Sequence, residues 1–226
     1  MTTTDFTQDT PVGQIATRAP LATRVFARHG IDFCCGGGLP LTQACARREV
    51  AVDDVLAEIQ TELASSEGEV ASWEGAPLDA LIEHILATYH RPLDEELPRI
   101  EAMARKVHAV HGDKDPERLG AMLKTYLALK ADLEPHMMKE EQILFPMILA
   151  GEGAMAGGPV HVMQMEHEEA GGLLRRLREL TDDYTPPEGA CNTWRALWHA
   201  FADLERSLHE HIHLENNILF PSALGS

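Results

Sequence analysis

Basic residues are scarce in this sequence of 226 residues: 19 Lys and Arg stand against 36 Asp and Glu, a formal charge of −17. Nucleic-acid grooves and anionic lipid headgroups both attract the opposite balance, so neither nucleic acid nor a membrane is expected as a partner. Long apolar runs are missing as well. No stretch approaches the roughly 18 consecutive apolar residues of a membrane span, and the opening MTTTDFTQDT is too polar for a signal peptide. Cysteine is limited to Cys34, Cys35, Cys45 and Cys191, too few and too irregular for a secreted disulfide framework. Reduced thiols and a cytoplasmic location are the economical reading. Strand-like alternation bounded by turns is absent, which excludes a β architecture and leaves an all-α chain. Aromatics make up only 5% of a chain that is 44% hydrophobic. Histidine, with 12 copies, is the unusual abundance.

Composition divides the chain into residues 1–70, a polar linker at 71–77, and residues 78–226. The first part reads as short helices over Pro11–Arg18, Pro20–His29, Pro40–Glu49 and Asp53–Ala64, each opened by Pro or Asp. Beyond the glycine-containing stretch Ser65–Pro77, the pattern turns to long amphipathic helices. Leu78, Leu81, Ile82, Ile85, Leu86 and Tyr89 recur at helical spacing. Helices are predicted at 78–110, 116–149, 160–182 and 192–220, separated by breaks at Asp113–Pro116, Gly151–Pro159 and Thr185–Cys191. The fold class is thus all-α: a small N-terminal helical module followed by an antiparallel four-helix bundle.

An internal repeat carries the chemistry. His136-Met-Met-Lys-Glu-Glu-Gln-Ile-Leu-Phe-Pro146 aligns without gaps on His211-Ile-His-Leu-Glu-Asn-Asn-Ile-Leu-Phe-Pro221, sharing His-x3-Glu and then Ile-Leu-Phe-Pro. A shift two residues longer superimposes His90 on His167. Each hairpin copy therefore offers one His from its first helix and a His-Glu pair, one turn apart on one face, from its second. His90 and His136 lie at matching depths, about 18–20 Å from the shared end of their hairpin at 1.5 Å per residue. Two copies facing each other about a pseudo-twofold axis bring His90, His136, Glu140, His167, His211 and Glu215 to one level. Four imidazoles and two carboxylates suit iron, zinc, copper or nickel. Carboxylate bridges and open positions favour two non-haem iron ions per chain, oxo- or hydroxo-bridged, open to small redox-active ligands.

The other histidines do not fit this pattern. His209 and His213 are also one turn apart, but they align with Glu134 and Met138 and rotate away from the 211/215 face, so they are expected to face solvent. His111 is expected near a helix C-terminus, and His84, His108, His161 and His199 at the core edge or surface. Glu166, beside His167, is either an acceptor supporting the centre or an exposed acid. In Asp32-Phe-Cys-Cys-Gly-Gly-Gly38 the glycines permit close backbone approach. The following helix would present its N-terminus to Cys34 and Cys35 and lower a thiol pKa. That loop is either a reactive, metal-handling thiol pair or a buried turn of small residues. Cys45 is expected in the core, and Cys191 has no partner that the sequence names.

The HMMKEEQILFP and EHIHLENNILFP blocks resemble haemerythrin-like domains. Together with DFCCGGG they make nearly the whole chain resemble the Ric (repair of iron centres) family of di-iron proteins. The resemblance implies a haemerythrin-like di-iron bundle with iron held by His90, His136, His167 and His211 and bridged by Glu140 and Glu215. It further implies repair of iron–sulfur clusters damaged by nitrosative or oxidative stress, by supply of iron, in a homodimer whose protein partners are the damaged iron–sulfur proteins. Cys34 and Cys35 are then candidate iron-transfer or redox thiols. Two alternatives use the same ligands: reduction of nitric oxide, and a carrier or sensor that binds nitric oxide or O2.

Overall fold

The computed structural model describes residues 6–65 and 73–225, and no strand occurs among them. Residues 66–72, which include the first two positions of the expected 71–77 linker, lie outside the described residues. The chain forms two compact units: Met1–Ile82 with His209–Ser226, and Glu83–Leu208.

In the first unit, α1 (Val12–Arg18), α2 (Ala22–Arg28), α3 (Leu41–Ala46) and α4 (Val52–Ser65) follow one another through tight turns. Pro11 and Pro40 precede α1 and α3 with backbone angles outside the helical region. That is where a residue lacking N–H costs a helix nothing. Val12, Ile15, Val25, Phe26, Leu41, Val55 and Ile59 form one core, and Ile212 from the C-terminal segment completes it. Helix α3 ends earlier than the expected Pro40–Glu49, because Glu49 adopts a left-handed φ of 56°.

The second unit is a helical bundle. Helix α5 (Leu78–Ile85) precedes it in the chain, and the bundle's elements are α6 (Arg91–His111), α7 (Pro116–Lys139), α8 (Phe145–Leu149), α9 (Gly157–Leu180) and the body of α10 (Asn192–Leu214). Leu97, Ile100, Ala104 and Val107 of α6 meet Met122, Tyr126 and Leu129 of α7, Leu174 and Leu177 of α9, and Leu197, Phe201 and Leu204 of α10. These are the residues that helical periodicity assigns to a common face. The buried Tyr126 hydroxyl donates to the Leu97 carbonyl at 2.6 Å, so the polar tip of the ring costs little. Asp115 caps α7 by accepting the Arg118 N–H at 3.2 Å, with Pro116 at the first turn. Helix α9 begins at Gly157, three residues before its expected start at 160.

After α9 the chain holds Asp182, Asp183 and Tyr184 at φ of 53°, 54° and 57°, a left-handed run costly for residues with a Cβ. Arg178 secures it. Its guanidinium bonds Asp183, pairs with the buried Glu205 and lies 5.1 Å from the Tyr184 ring centroid.

Three helices depart from α geometry in the same manner. Leu86–His90, Glu140–Leu144 and Glu215–Leu219 are single π turns, in which the N–H of Arg91, Phe145 and Phe220 reaches back five residues to the carbonyls of Leu86, Glu140 and Glu215. A proline follows each at the next position: Pro92, Pro146 and Pro221. Such a residue has no N–H and collides with the carbonyl four back, so the ladder shifts register where a bond would be lost anyway. The long helix α9 has no such turn.

Candidate metal centre

Each π turn carries or begins with an expected ligand: His90, Glu140 and Glu215. Each widened turn adds a residue and so re-aims the side chains around it, a device found at functional sites.

In the second unit, His90, His136, Glu140 and His167 come together, all nearly removed from solvent. Glu140 Oε2 lies 3.5 Å from His90 Nε2, and Oε1 lies 3.3 Å from His136 Nε2 and 4.0 Å from His167 Nε2. The Nε2 atoms of His136 and His167 are 3.1 Å apart. His90 and His136 are held from behind. His90 Nδ1 donates to Glu141 at 2.8 Å, and its ring packs on Phe145 of the Ile-Leu-Phe-Pro block with centroids 5.8 Å apart. His136 Nδ1 donates to Glu166 at 2.9 Å, and Lys139 pairs with the same carboxylate. Burial pushes the Glu166 carboxyl up, but the bonds from Lys139 and His136 outweigh it and hold the group below the usual carboxylate range.

This wiring tests whether a cation belongs here. A neutral imidazole that donates through Nδ1 turns a lone pair outward at Nε2. Two such lone pairs thus face the Glu140 carboxylate, the one on His136 also within hydrogen-bond reach of His167 Nε2 at 3.1 Å, and both Glu140 oxygens are buried and accept no hydrogen bond from the described residues. Converging electron pairs in a dry core repel one another unless a cation lies among them. Imidazole nitrogens backed by carboxylates are also the arrangement that orients histidine on a metal. The residues fit a metal ion.

In the first unit, His211 and Glu215 are buried one turn apart, with His211 Nε2 3.0 Å from Glu215 Oε1. This repeats the His136–Glu140 relation at 3.3 Å, as the sequence repeat requires. His213 corrects an expectation. It is buried, not solvent-facing, with the Phe33 ring edge-on at 5.6 Å, while His209 flanks Phe33 at 6.1 Å. Burial pushes its imidazole down to about 4, so it is neutral at ordinary pH. The face that helical rotation assigned to solvent is covered by the cysteine-bearing turn.

That turn is clamped to the C-terminal segment. Asn217 Nδ2 lies 3.3 Å from the carbonyls of both Phe33 and Cys34, and Asn216 Nδ2 lies 3.4 Å from that of Cys34. Gly13 and Gly37 make room, since a Cβ on either would stand 2.4 Å from Asn217 Oδ1. Asp32 Oδ1 accepts the N–H groups of Cys34 and Cys35 at 3.1 and 2.9 Å, and the two sulfurs are 3.8 Å apart. The ligating atoms of Asp32, Cys34 and Cys35 all lie within 4.8 Å of one another. The expected lowering of a thiol pKa does not occur at Cys34. The hydrogen bond with Cys35, burial and the Asp32 carboxylate push its thiol up, and α3 begins only at Leu41. Cys45 is in the core as expected.

Sequence reasoning missed Glu141 and the Asn216–Asn217 clamp. The repeat hid both, because Glu141 aligns with Asn216, so each copy uses that position differently. It also missed the π turns, although the proline after each was a visible signal.

Comparison with known proteins points to a cation-binding domain over most of the chain. The family described as Hemerythrin HHE cation binding domain matches residues 81–223, and ScdA_N, a domain of unknown function, matches residues 8–63. The chain is 47% identical over 221 residues to the iron-sulfur cluster repair protein YtfE of Edwardsiella ictaluri (strain 93-146), covering 96% of this chain and 98% of that one. It is 45% identical over 218 residues to the proteins of the same name from Escherichia coli O81 (strain ED1a) and Escherichia fergusonii, with the same coverage.

Proposed function

Because this chain belongs to the iron–sulfur cluster repair family that joins a ScdA_N segment to a Hemerythrin HHE cation binding domain, we propose that it repairs damaged iron–sulfur clusters by supplying iron. Two irons per chain would be held by His90, His136, Glu140, His167, His211 and Glu215. Damaged iron–sulfur proteins of the cytoplasm are the recipients, and nitric oxide and O2 are the small ligands such a centre admits.

The observation that carries this reading is the pair of Nε2 lone pairs aimed at the buried, unsatisfied Glu140 carboxylate. The internal repeat extends it to His211 and Glu215, which copy the His136–Glu140 geometry. Iron bound there supplies redox chemistry and, as cargo, the metal to be delivered. The chain's own residues set how firmly it is held. Glu141 and Glu166 fix the imidazole orientation, Phe145 packs against His90, and burial of the four histidines excludes water. Two carboxylates among six ligands make a weaker chelate than a carboxylate cage, which suits release. Asp32, Cys34 and Cys35 offer a second cluster of donor atoms, and we assign the thiols to iron transfer.

The test is iron content and repair by anaerobically purified protein, beside His136→Ala and Glu215→Ala. The reading expects two irons per chain, and loss of both iron and repair in each variant. Repair that persists in both variants sinks it. Nitrous oxide formed catalytically, at more than one product per iron pair, would assign the centre to nitric oxide reduction instead.

A further inference from the structure

Two residues without a role in the metal centre, His111 and Cys191, meet in the second unit. The exposed Cys191 sulfur lies 3.3 Å from His111 Nε2, within reach of a thiol–imidazole hydrogen bond. The His111 ring stacks on Trp194 with centroids 4.9 Å apart and planes 34° apart, which fixes the imidazole. Cys191 immediately precedes α10, and its carbonyl accepts the Arg195 N–H at 3.1 Å, so the backbone beneath the thiol is also held.

Trp194 faces a second feature. With Trp198 and the 185–189 turn it lines a cavity of about 470 Å³, within the size range of small-ligand sites. Gly189, two residues before Cys191, belongs to its wall. Lys114 and Arg118 line it too, neither in an ion pair among the described residues, and Arg118 Nε donates to the Leu180 carbonyl. Asp182 and Glu188 supply the opposite charge. Asp115 also lines the cavity but is engaged as the α7 cap. A nucleophile with a base at hydrogen-bond distance, beside a cavity of mixed charge, matches a small thiol compound that carries both ammonium and carboxylate groups.

We propose that Cys191 and His111 form a site for reversible mixed-disulfide formation with a small zwitterionic peptide disulfide seated in the adjoining cavity. His111 Nε2 accepts the thiol proton, and the Cys191 sulfur attacks one sulfur of the incoming disulfide. A new S–S bond forms as the old one breaks. The departing sulfur leaves as a thiolate and takes the proton back from the imidazolium. Cys191 is oxidised to the disulfide level, and one half of the reagent is reduced to a thiol, so electrons and protons balance. The other cysteines are less open to this reaction, since Cys34 and Cys45 are buried and Cys35 is half-buried.

The experiment treats full-length, iron-loaded protein with oxidised glutathione and follows adducts by intact mass and peptide mapping. A single glutathionyl adduct on Cys191 is expected, absent in Cys191→Ser. Complete loss of base assistance is worth about tenfold in rate, because a free thiol is only a few per cent thiolate at neutral pH and gains nucleophilicity as its basicity rises. His111→Ala should therefore react about tenfold more slowly, and added imidazole should restore the rate. Lys114→Glu should slow oxidised glutathione, which is net anionic, while the dication cystamine reacts as fast or faster. A first adduct on Cys35, or an unchanged rate in His111→Ala, overturns the proposal.

Discussion

Replacing Glu166 by Gln keeps the side chain's shape and removes its charge, which isolates the electrostatic support behind His136. The carboxylate takes the His136 Nδ1–H at 2.9 Å and pairs with Lys139, and its side chain is 29% exposed. Glu141 supports His90 at 2.8 Å but is 46% exposed, so water can replace more of what it provides. Removing a carboxylate behind a metal-bound histidine costs about 10–100-fold in metal affinity, or roughly 1.4–2.7 kcal/mol. Glu166→Gln belongs near the upper end, because it also leaves the Lys139 cation unneutralised beside the site. Glu141→Gln belongs near the lower end. Competition against a ferrous chelator measures both, with helical circular dichroism as the check on folding. A Glu141→Gln effect larger than that of Glu166→Gln, or iron affinity unchanged in both, would refute the assigned tautomers and the graded support.

Gly37→Ala should cost about 1–3 kcal/mol in urea unfolding, because its Cβ would stand 2.4 Å from Asn217 Oδ1. Adding Asn217→Ala should recover part of that loss, whereas strictly additive costs would show that the clamp is not the cause. Arg178→Leu leaves the buried Glu205 carboxylate without its partner and should cost about 3 kcal/mol, with Arg178→Leu/Glu205→Leu closer to wild type. Equal losses in the single and double variants would contradict this. Removing iron should lower the thermal midpoint, since bound metal at a thousandfold excess over its Kd stabilises by about 4 kcal/mol. An unchanged midpoint would mean the ligands are equally content without a cation. The Glu166 carboxyl sits below the usual carboxylate range when folded, so its contribution is present at neutral pH and is lost as pH falls through that lowered value. Glu166→Gln should flatten that acid limb of an unfolding-versus-pH curve.

The bundle was legible because helical spacing reports which residues share a buried face. Leu81, Ile82, Ile85 and Tyr89 are buried, as that spacing requires. The convergence of His90, His136, Glu140 and His167 was legible through a repeat, which cancels the ambiguity of any single mid-helix histidine. His213 was not. Helix rotation says which way a side chain points, but not whether another segment of chain lies there, and Phe33 does. Cys34 failed for a related reason. A helix start was placed near the thiols, whereas the nearest charge is Asp32, two residues upstream and of the opposite effect. The Cys191–His111 contact joins residues 80 apart with no shared pattern, and only coordinates reveal it.

The π turns bear on the ancestry of the chain. One added residue rotates everything downstream by about 100°, so removing a single codon from Leu86–His90 would swing the His90 imidazole away from Glu140, and removing one from Glu140–Leu144 would turn Phe145 away from His90. Both His-x3-Glu helices carry the addition immediately after the histidine's turn, at Glu140–Leu144 and Glu215–Leu219. The economical history places it in the ancestral hairpin, before duplication. The first helices differ, since Leu86–His90 is widened and the His167 helix is not. That addition or loss came after the copies diverged, and it is where the two copies of the hairpin sequence stop matching in backbone geometry.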